Sequence, residues 1–387
     1  MISTDAINPF QPGAGMIPPV FPGREHEQDQ FRQYVNRLKH RVAPSRDVII
    51  CAPRGNGKTT LLNWLTKKIR NEEKDNIEVI KTTPDKIKTP ASLLNKIALP
   101  GWIERLEAKT GLSFKIDISG LQVQANTQAG RDHEATSEYL TEELVRRCRN
   151  KPAILIIDEA HNLAPDIGQE LLTSSQDTKQ EAPFQLILAG TPGLRSHLNT
   201  MSATFWERND IMQPGLLSLE DTCKAIAGPL AAYQVTFEDN ILETIANDSQ
   251  GYPYFTQLWG EKLFNTLQKA QSNHVDKSIA NNARGEIEYE CQFFYQGRYD
   301  GLNTNNLIPA AARIAEHFGN LSVLDEDKVE QVLGAIELRA GQTAETVKNE
   351  LLNEGYIWRA NPIEQRQFHP GIPSLMAYIN SRAQSIS

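Results

Sequence analysis

The segment Ala52-Pro53-Arg54-Gly55-Asn56-Gly57-Lys58-Thr59-Thr60 joins an apolar strand, Asp47–Ala52, to an amphipathic helix, Thr59–Arg70. A Gly-rich turn in that position can cradle a phosphate, because backbone N–H groups of Gly55, Gly57 and the first helical turn converge where the helix dipole favours an anion. In this reading Arg54, Gly55, Asn56, Gly57, Lys58, Thr59 and Thr60 contact a nucleotide. Lys58 reaches its β- and γ-phosphates, and Thr59 sets its hydroxyl on Mg2+. The position that closes the turn, usually Gly, is Ala52 here. The bland alternative is a Gly-rich turn that binds nothing.

About a hundred residues later the run Ile154-Leu155-Ile156-Ile157 ends in Asp158-Glu159. A buried strand delivering two carboxylates suits Mg2+ contact by Asp158 and water activation by Glu159. Two solvated acids after a strand would look the same, but the phosphate cradle upstream favours the catalytic pairing. His161 completes the string Asp-Glu-Ala-His and reads as a packing or supporting residue. A further strand, Leu186–Ala189, runs into Gly190-Thr191-Pro192. Thr191 is the candidate to touch the γ-phosphate or the attacking water, or else the N-cap of the helix that follows.

Strands at Asp47–Ala52, Ile77–Thr82, Ala153–Asp158, Leu186–Ala189 and Ile211–Gln213 alternate with helical patterns at Gln28–Arg41, Thr59–Arg70, Lys86–Thr110, Glu134–Arg149 and Arg195–Arg208. The alternation predicts an α/β fold, a parallel sheet with helices on both faces. Phe114, Ile116 and Ile118, then Leu121 and Val123, add a small hairpin signal at Ser113–Gln124. From Leu219 the pattern is helical, with segments at Leu219–Tyr233, Asp239–Asn247 and Tyr254–Ala270. Helices at Pro309–Phe318, Asp325–Leu333 and Thr343–Asn353 precede strands at Tyr356–Arg359 and Gln365–Phe368, the order of a winged helix. The expected organisation is an irregular arm (1–20), the α/β domain (21–215), a helical lid (216–285), a linker (286–306) and a winged-helix-like domain (307–387).

With 387 residues the chain is long enough for two or three domains. It has no signal-peptide pattern and no apolar run of membrane-spanning length. Cys51, Cys148, Cys223 and Cys291 lack metal spacing and read as buried thiols in a reducing compartment, which points to the cytoplasm. The net charge of −8 speaks against wholesale coating of nucleic acid. Yet Phe31–Arg70 holds ten cations (Arg32, Arg37, Lys39, Arg41, Arg46, Arg54, Lys58, Lys67, Lys68, Arg70) and one acid, Asp47. That region is either a set of solvated helix faces around a triphosphate site or a basic surface for nucleic acid.

Taken together, these motifs resemble the AAA+ superfamily of P-loop ATPases, near its initiator-type (origin-recognition-like) and STAND branches. Pro22-Gly23-Arg24-Glu25, preceded by Val20-Phe21, resembles the N-terminal box beside adenine, which implies nucleotide contact by Phe21 and Arg24. Phe205-Trp206-Glu207-Arg208 resembles the box carrying the arginine finger. The resemblance implies that Arg208 acts in a neighbouring subunit of a homo-oligomer, with Arg195 as the fallback and an ion-paired surface arginine as the alternative. Gly251-Tyr252-Pro253-Tyr254-Phe255 resembles the STAND form of the second sensor, which implies that Pro253 packs on the nucleotide. Tyr254 or Phe255 stands where the family places a sensing arginine, and a slow switch is expected.

From Asn303 to Ser387 seven cations face ten acids, and the would-be recognition helix offers Lys348 between Glu345 and Glu350. That is poor equipment for a major groove. Trp358 and Phe368 read as core. The expected protein is a slow ATPase using ATP and Mg2+, an ATP-dependent molecular switch. It would be coupled to a DNA transaction in replication, transposition or a mobile element. The alternatives are a signalling or defence ATPase that holds a protein effector, and an ATP-gated non-catalytic scaffold.

Overall fold

The strand-forming runs of the first half pair as one parallel sheet in the computed structural model, which describes every residue except 1, 4, 14, 111–131, 203, 320–322, 339–340, 361–363, 365 and 385–387. The hairpin expected at Ser113–Gln124 lies outside the described residues. In chain order the elements are α1 (Glu25–Lys39), β1 (Val48–Cys51), α2 (Lys58–Glu72), β2 (Glu78–Thr82), α3 (Pro90–Ile97), α4 (Trp102–Thr110), α5 (Asp132–Asn150), β3 (Ala153–Ile157), α6 (Pro165–Glu181), β4 (Phe184–Gly190), α7 (Leu194–Met201) and β5 (Asp210–Met212). Residues 27–51 and 62–212 form one compact unit; residues 1–26, 52–61 and 213–387 form the other.

The sheet order in the first unit is β2-β3-β4-β1-β5, with every neighbour parallel. All residues of β1, β3 and β4 are buried, as expected where both faces of a parallel sheet are covered. Thr82 pairs with Ile157, Ile157 with Leu188, and Cys51 with Gly190. All strands point the same way, so β1 and β4 end level and β3 stops two residues short of β4 at the same edge.

Two helical expectations change. The sequence reading leaves 165–181 unassigned, yet α6 fills it, its buried face made partly of Gly168, Ser174, Ser175 and Thr178. Small and polar residues on that face hide the apolar period, and a Cβ on Gly168 would stand 2.2 Å from the Met201 sulfur. The helix expected across Arg195–Arg208 stops at Met201, and a short 3-10 turn at Trp206–Arg208 follows.

The other unit contains α8 (Leu219–Ala231), β6 (Thr236–Phe237), α9 (Ile241–Asp248), α10 (Pro253–Lys269), β7 (His274–Val275), α11 (Lys277–Thr304), α12 (Ile308–Phe318), β8 (Leu324–Asp325), α13 (Glu326–Gly334), α14 (Ala344–Asn353), β9 (Ile357–Trp358), β10 (Gln367–Pro370) and α15 (Pro373–Gln384). Residues 286–304, expected as a linker, belong to α11, which starts where the Asp276 carboxylate accepts the Ile279 N–H at 2.8 Å. The last three strands form an antiparallel sheet in the order β8-β10-β9. One apolar cluster runs from Phe10 through Trp259 and Ile287 to Phe368 and Ile379. The N-terminal arm joins it: Phe10 packs on Gly260, and the Asn8 amide donates to the Glu261 carbonyl at 3.0 Å.

Trp358 and Phe368 are core residues, 2% and 0% exposed. Cys51, Cys148 and Cys291 are buried free thiols and Cys223 is half-buried; burial pushes Cys148 up to about 12. No helix among the described residues is long and apolar enough to cross a membrane.

Candidate active site

The loop between β1 and α2 takes its shape from Gly55 and Gly57, both at φ +87°, a left-handed conformation open to Gly and costly for other residues. Helix α2 starts at Lys58, its first turn carries no acidic side chain, and the Leu61 N–H donates to the Gly57 carbonyl at 2.9 Å. Lys58 is buried and folds back over the loop, its ammonium donating to the carbonyls of Ala52 (2.7 Å) and Pro53 (2.9 Å). Thr59 and Thr60 follow it, half-buried, in the first turn. Glycine N–H groups, a helix start and an ammonium in one loop, with no carboxylate in it, form a fitting cradle for phosphate.

Three side chains brace this loop. Arg24 is 5% exposed, and its guanidinium donates to the carbonyls of Gly23 (2.7 Å), Gly215 (2.6 Å) and Asn56 (3.4 Å). Asn56 is fully buried, with its amide N–H on the Pro214 carbonyl at 3.1 Å and its Oδ1 without a hydrogen bond among the described residues. Tyr252, which sequence reasoning passed over, donates its hydroxyl to the Arg54 carbonyl at 2.5 Å. A Cβ on Gly55 would lie 1.8 Å from that hydroxyl, so only Gly fits beneath it. Burial raises the Tyr252 pKa, which keeps the phenol a donor. Pro253 follows as the first residue of α10, where its fixed φ and missing N–H cost nothing. Gly251 precedes at φ +66°, and a Cβ there would strike the Leu217 carbonyl at 2.2 Å. Phe21 is half-buried, four residues before α1.

At the edge where the strands end, Asp158 is 4% exposed and its Oδ1 accepts the Glu159 N–H at 3.1 Å. Its Oδ2 lies 3.5 Å from the Lys81 ammonium, which also donates to Asn63 at 2.5 Å. Burial lowers the Lys81 pKa and the Asp158 charge only partly opposes it. Sequence reasoning missed Lys81, because its partner comes from the neighbouring strand. Glu159 stands at φ 57°, ψ 32°, a left-handed conformation that is strained for a residue with a side chain. Its carboxylate is 3.4 Å from His161 Nε2, and His161 Nδ1 accepts the Thr191 N–H at 3.3 Å. His161 therefore ties the end of β3 to the residue after β4.

Thr191 is 4% exposed and its carbonyl accepts the Cys51 thiol at 3.4 Å. It does not cap α7: the N-cap is Gly193, and no side chain caps that helix. Arg208 is exposed at the end of the 3-10 turn and makes no ion pair among the described residues. Arg195 instead lies over the Trp206 ring at 5.6 Å.

Comparisons with known proteins agree with this architecture. Residues 45–198 match the family model described as AAA domain. No curated protein matches the sequence. Among solved structures, the Aeropyrum pernix ORC2 protein is similar at a TM-score of 0.56 and 15% identity, covering 97% of this chain and 98% of that one. The Walker-type ATPase paby2304 of Pyrococcus abyssi is similar at 0.56 and 14% identity, covering 93% and 96%. The parallel sheet and its flanking helices have the AAA+ P-loop NTPase fold.

Proposed function

We propose that this protein is an ATP-driven molecular switch that binds Mg-ATP on the loop 52–60 and hydrolyses it slowly. The observation that carries the reading is the loop itself: left-handed Gly55 and Gly57, a helix start at Lys58 and an ammonium held over the main chain. ATP supplies the transferable γ-phosphoryl group. Lys58 binds its β- and γ-phosphates, Thr59 ligates Mg2+ through its hydroxyl, and Asp158 holds that ion through water. Glu159 polarises the attacking water, with His161 and Thr191 fixing the chain around it. Phe21, Arg24 and Pro253 border the nucleotide, and Arg208, exposed and without an ion pair among the described residues, completes the site of a neighbouring copy.

The C-terminal module is read as a winged helix that meets a protein. Lys348, the cation of α14, is 7% exposed and bonded to Glu326 (3.1 Å) and Glu330 (2.6 Å), so it is withheld from phosphates. Much of the basic segment is likewise engaged: Arg46 pairs with Asp210, Lys39 with Glu73 and Lys68 with Glu72, while Arg41 donates to the Arg149 carbonyl. A second reading, coupling to a DNA transaction, is favoured by Lys67 and Arg70, exposed on α2 and without ion pairs among the described residues.

The test is ATP turnover by the purified chain and by Lys58→Ala, across protein concentrations, with and without DNA. We expect turnover that rises per chain with concentration and that Lys58→Ala abolishes. Equal turnover by the variant would refute the assignment of the loop. Stimulation by DNA that fades with salt would move the client from protein to nucleic acid.

A further inference from the structure

Arg298 lies on α11 with its guanidinium 5.1 Å from the centre of the Phe294 ring. Among the described residues nothing receives a hydrogen bond or salt bridge from it. It lines a cavity of about 200 Å³ with Arg54, the third residue of the phosphate loop, and with Glu354 and Tyr356. Gly297 and Gly301 line the same cavity, and a Cβ at either would meet nothing within 4 Å, so this side of α11 is bare around the arginine.

The charges there do not balance. Two guanidinium groups face one carboxylate, and Glu354 already accepts the Asn305 amide at 3.0 Å. The Tyr356 hydroxyl is turned away, donating to the Ala311 carbonyl at 2.9 Å. Burial, and then the like charge of Arg54, pull the Arg298 pKa below the ordinary arginine range, with Tyr252 and Glu354 opposing. A half-buried arginine that rests on an aromatic ring, with a second arginine and a single carboxylate lining the same cavity, offers more positive charge than its described surroundings neutralise. The cavity is below the usual size of a whole small-molecule site, ~300–1,000 Å³. It suits one oxyanion group of a ligand whose remainder lies elsewhere.

We propose that Arg298, together with Arg54, receives a terminal phosphoryl oxygen of the nucleotide on the loop, so that α11 supplies the phosphate-sensing cation that the start of α10 lacks. Because the cavity wall includes the loop's own Arg54, this source fits better than a free anion. The assignment rests on the nucleotide reading above and would make the helical unit sensitive to whether ATP or ADP is held.

Calorimetric titration with Mg-ATP and with Mg-ADP tests it on the full chain, on Arg298→Ala and Arg298→Lys, and on Arg54→Ala. Loss of a charge-assisted, bidentate contact is expected to weaken ATP by about tenfold to a hundredfold while ADP changes by less than about threefold. Arg298→Lys should fall between, because an ammonium keeps the charge and loses the fork. Nucleotide-free melting of each variant should match the parent. Equal effects on both nucleotides, or none, in variants that melt normally would overturn the role of Arg298. Weakened binding of an oligonucleotide with nucleotide affinities unchanged would overturn it in favour of a nucleic-acid phosphate. If the parent chain binds neither nucleotide, the nucleotide reading itself fails and this inference falls with it.

Discussion

At the edge where β1 begins, Asp47 is 1% exposed and wholly engaged. Its carboxylate accepts the Leu186 N–H and the Ser175 hydroxyl, both at 2.9 Å, and pairs with the Lys179 ammonium. Burial holds Lys179 below the ordinary lysine range, against the pull of Asp47. At the edge where β1, β3 and β4 end, the polar groups are arranged differently. Glu159 is half-exposed in a strained left-handed conformation, and the Thr191 hydroxyl caps no helix. Both edges gather a carboxylate and a hydroxyl at strand ends, the closed one drawing its hydroxyl from Ser175 on α6. One set is closed upon itself; the other leaves Glu159 half-exposed, as the proposed hydrolysis would require.

The comparison breaks most visibly at the closed edge. Asp47→Ala leaves a buried ammonium without its counter-charge and the Leu186 N–H without its acceptor. The expected loss is about 3–5 kcal/mol of stability, a fall in melting temperature on the order of 10 °C. Urea unfolding measures it, and a loss below about 1 kcal/mol would mean that water replaces the carboxylate. At the open edge the sign of the trade should reverse. Glu159→Gln keeps the size and the backbone but removes the base, so turnover should fall by about a hundredfold or more. Stability should shift by no more than about 0.5 kcal/mol, since the side chain is half-exposed. An unchanged turnover would remove Glu159 from the reaction.

The difference between the edges also explains what could be read from the sequence. The loop Ala52–Thr60 and the strand ending in Asp158-Glu159 were legible because their signals are local: a strand, a fixed spacing of glycines, an apolar run that stops at two acids. The clamps around them were not. Arg24 reaches Gly215 and Tyr252 reaches Arg54 across long stretches of chain, and Lys81 meets Asp158 only through the register of β2 on β3. The count of ten cations against one acid overstates the free charge for the same reason, because Glu73 and Asp210, which pair with Lys39 and Arg46, lie just outside or far beyond that window. Helix α6 escaped because half of its buried face is Gly, Ser and Thr. The central strands of the parallel sheet were legible because, buried on both faces, they are unbroken apolar runs.

Thr191 gives the smallest effect and the sharpest contrast. Its side chain is buried at the open edge, and its main chain already carries contacts from both sides: the N–H goes to His161 and the carbonyl receives the Cys51 thiol. Those main-chain bonds survive any substitution, so a change in rate on removing the hydroxyl isolates the hydroxyl. Thr191→Val keeps the shape, and since that oxygen caps no helix, stability should stay within about 0.5 kcal/mol of the parent. Turnover should fall by about threefold to tenfold, the size of one neutral hydrogen bond to a reacting group. Thr191→Ser, which keeps the oxygen, should retain most of it. If Val and Ser behave alike, the hydroxyl has no part in the reaction, and the open edge works through Glu159 and the chain that His161 holds in place.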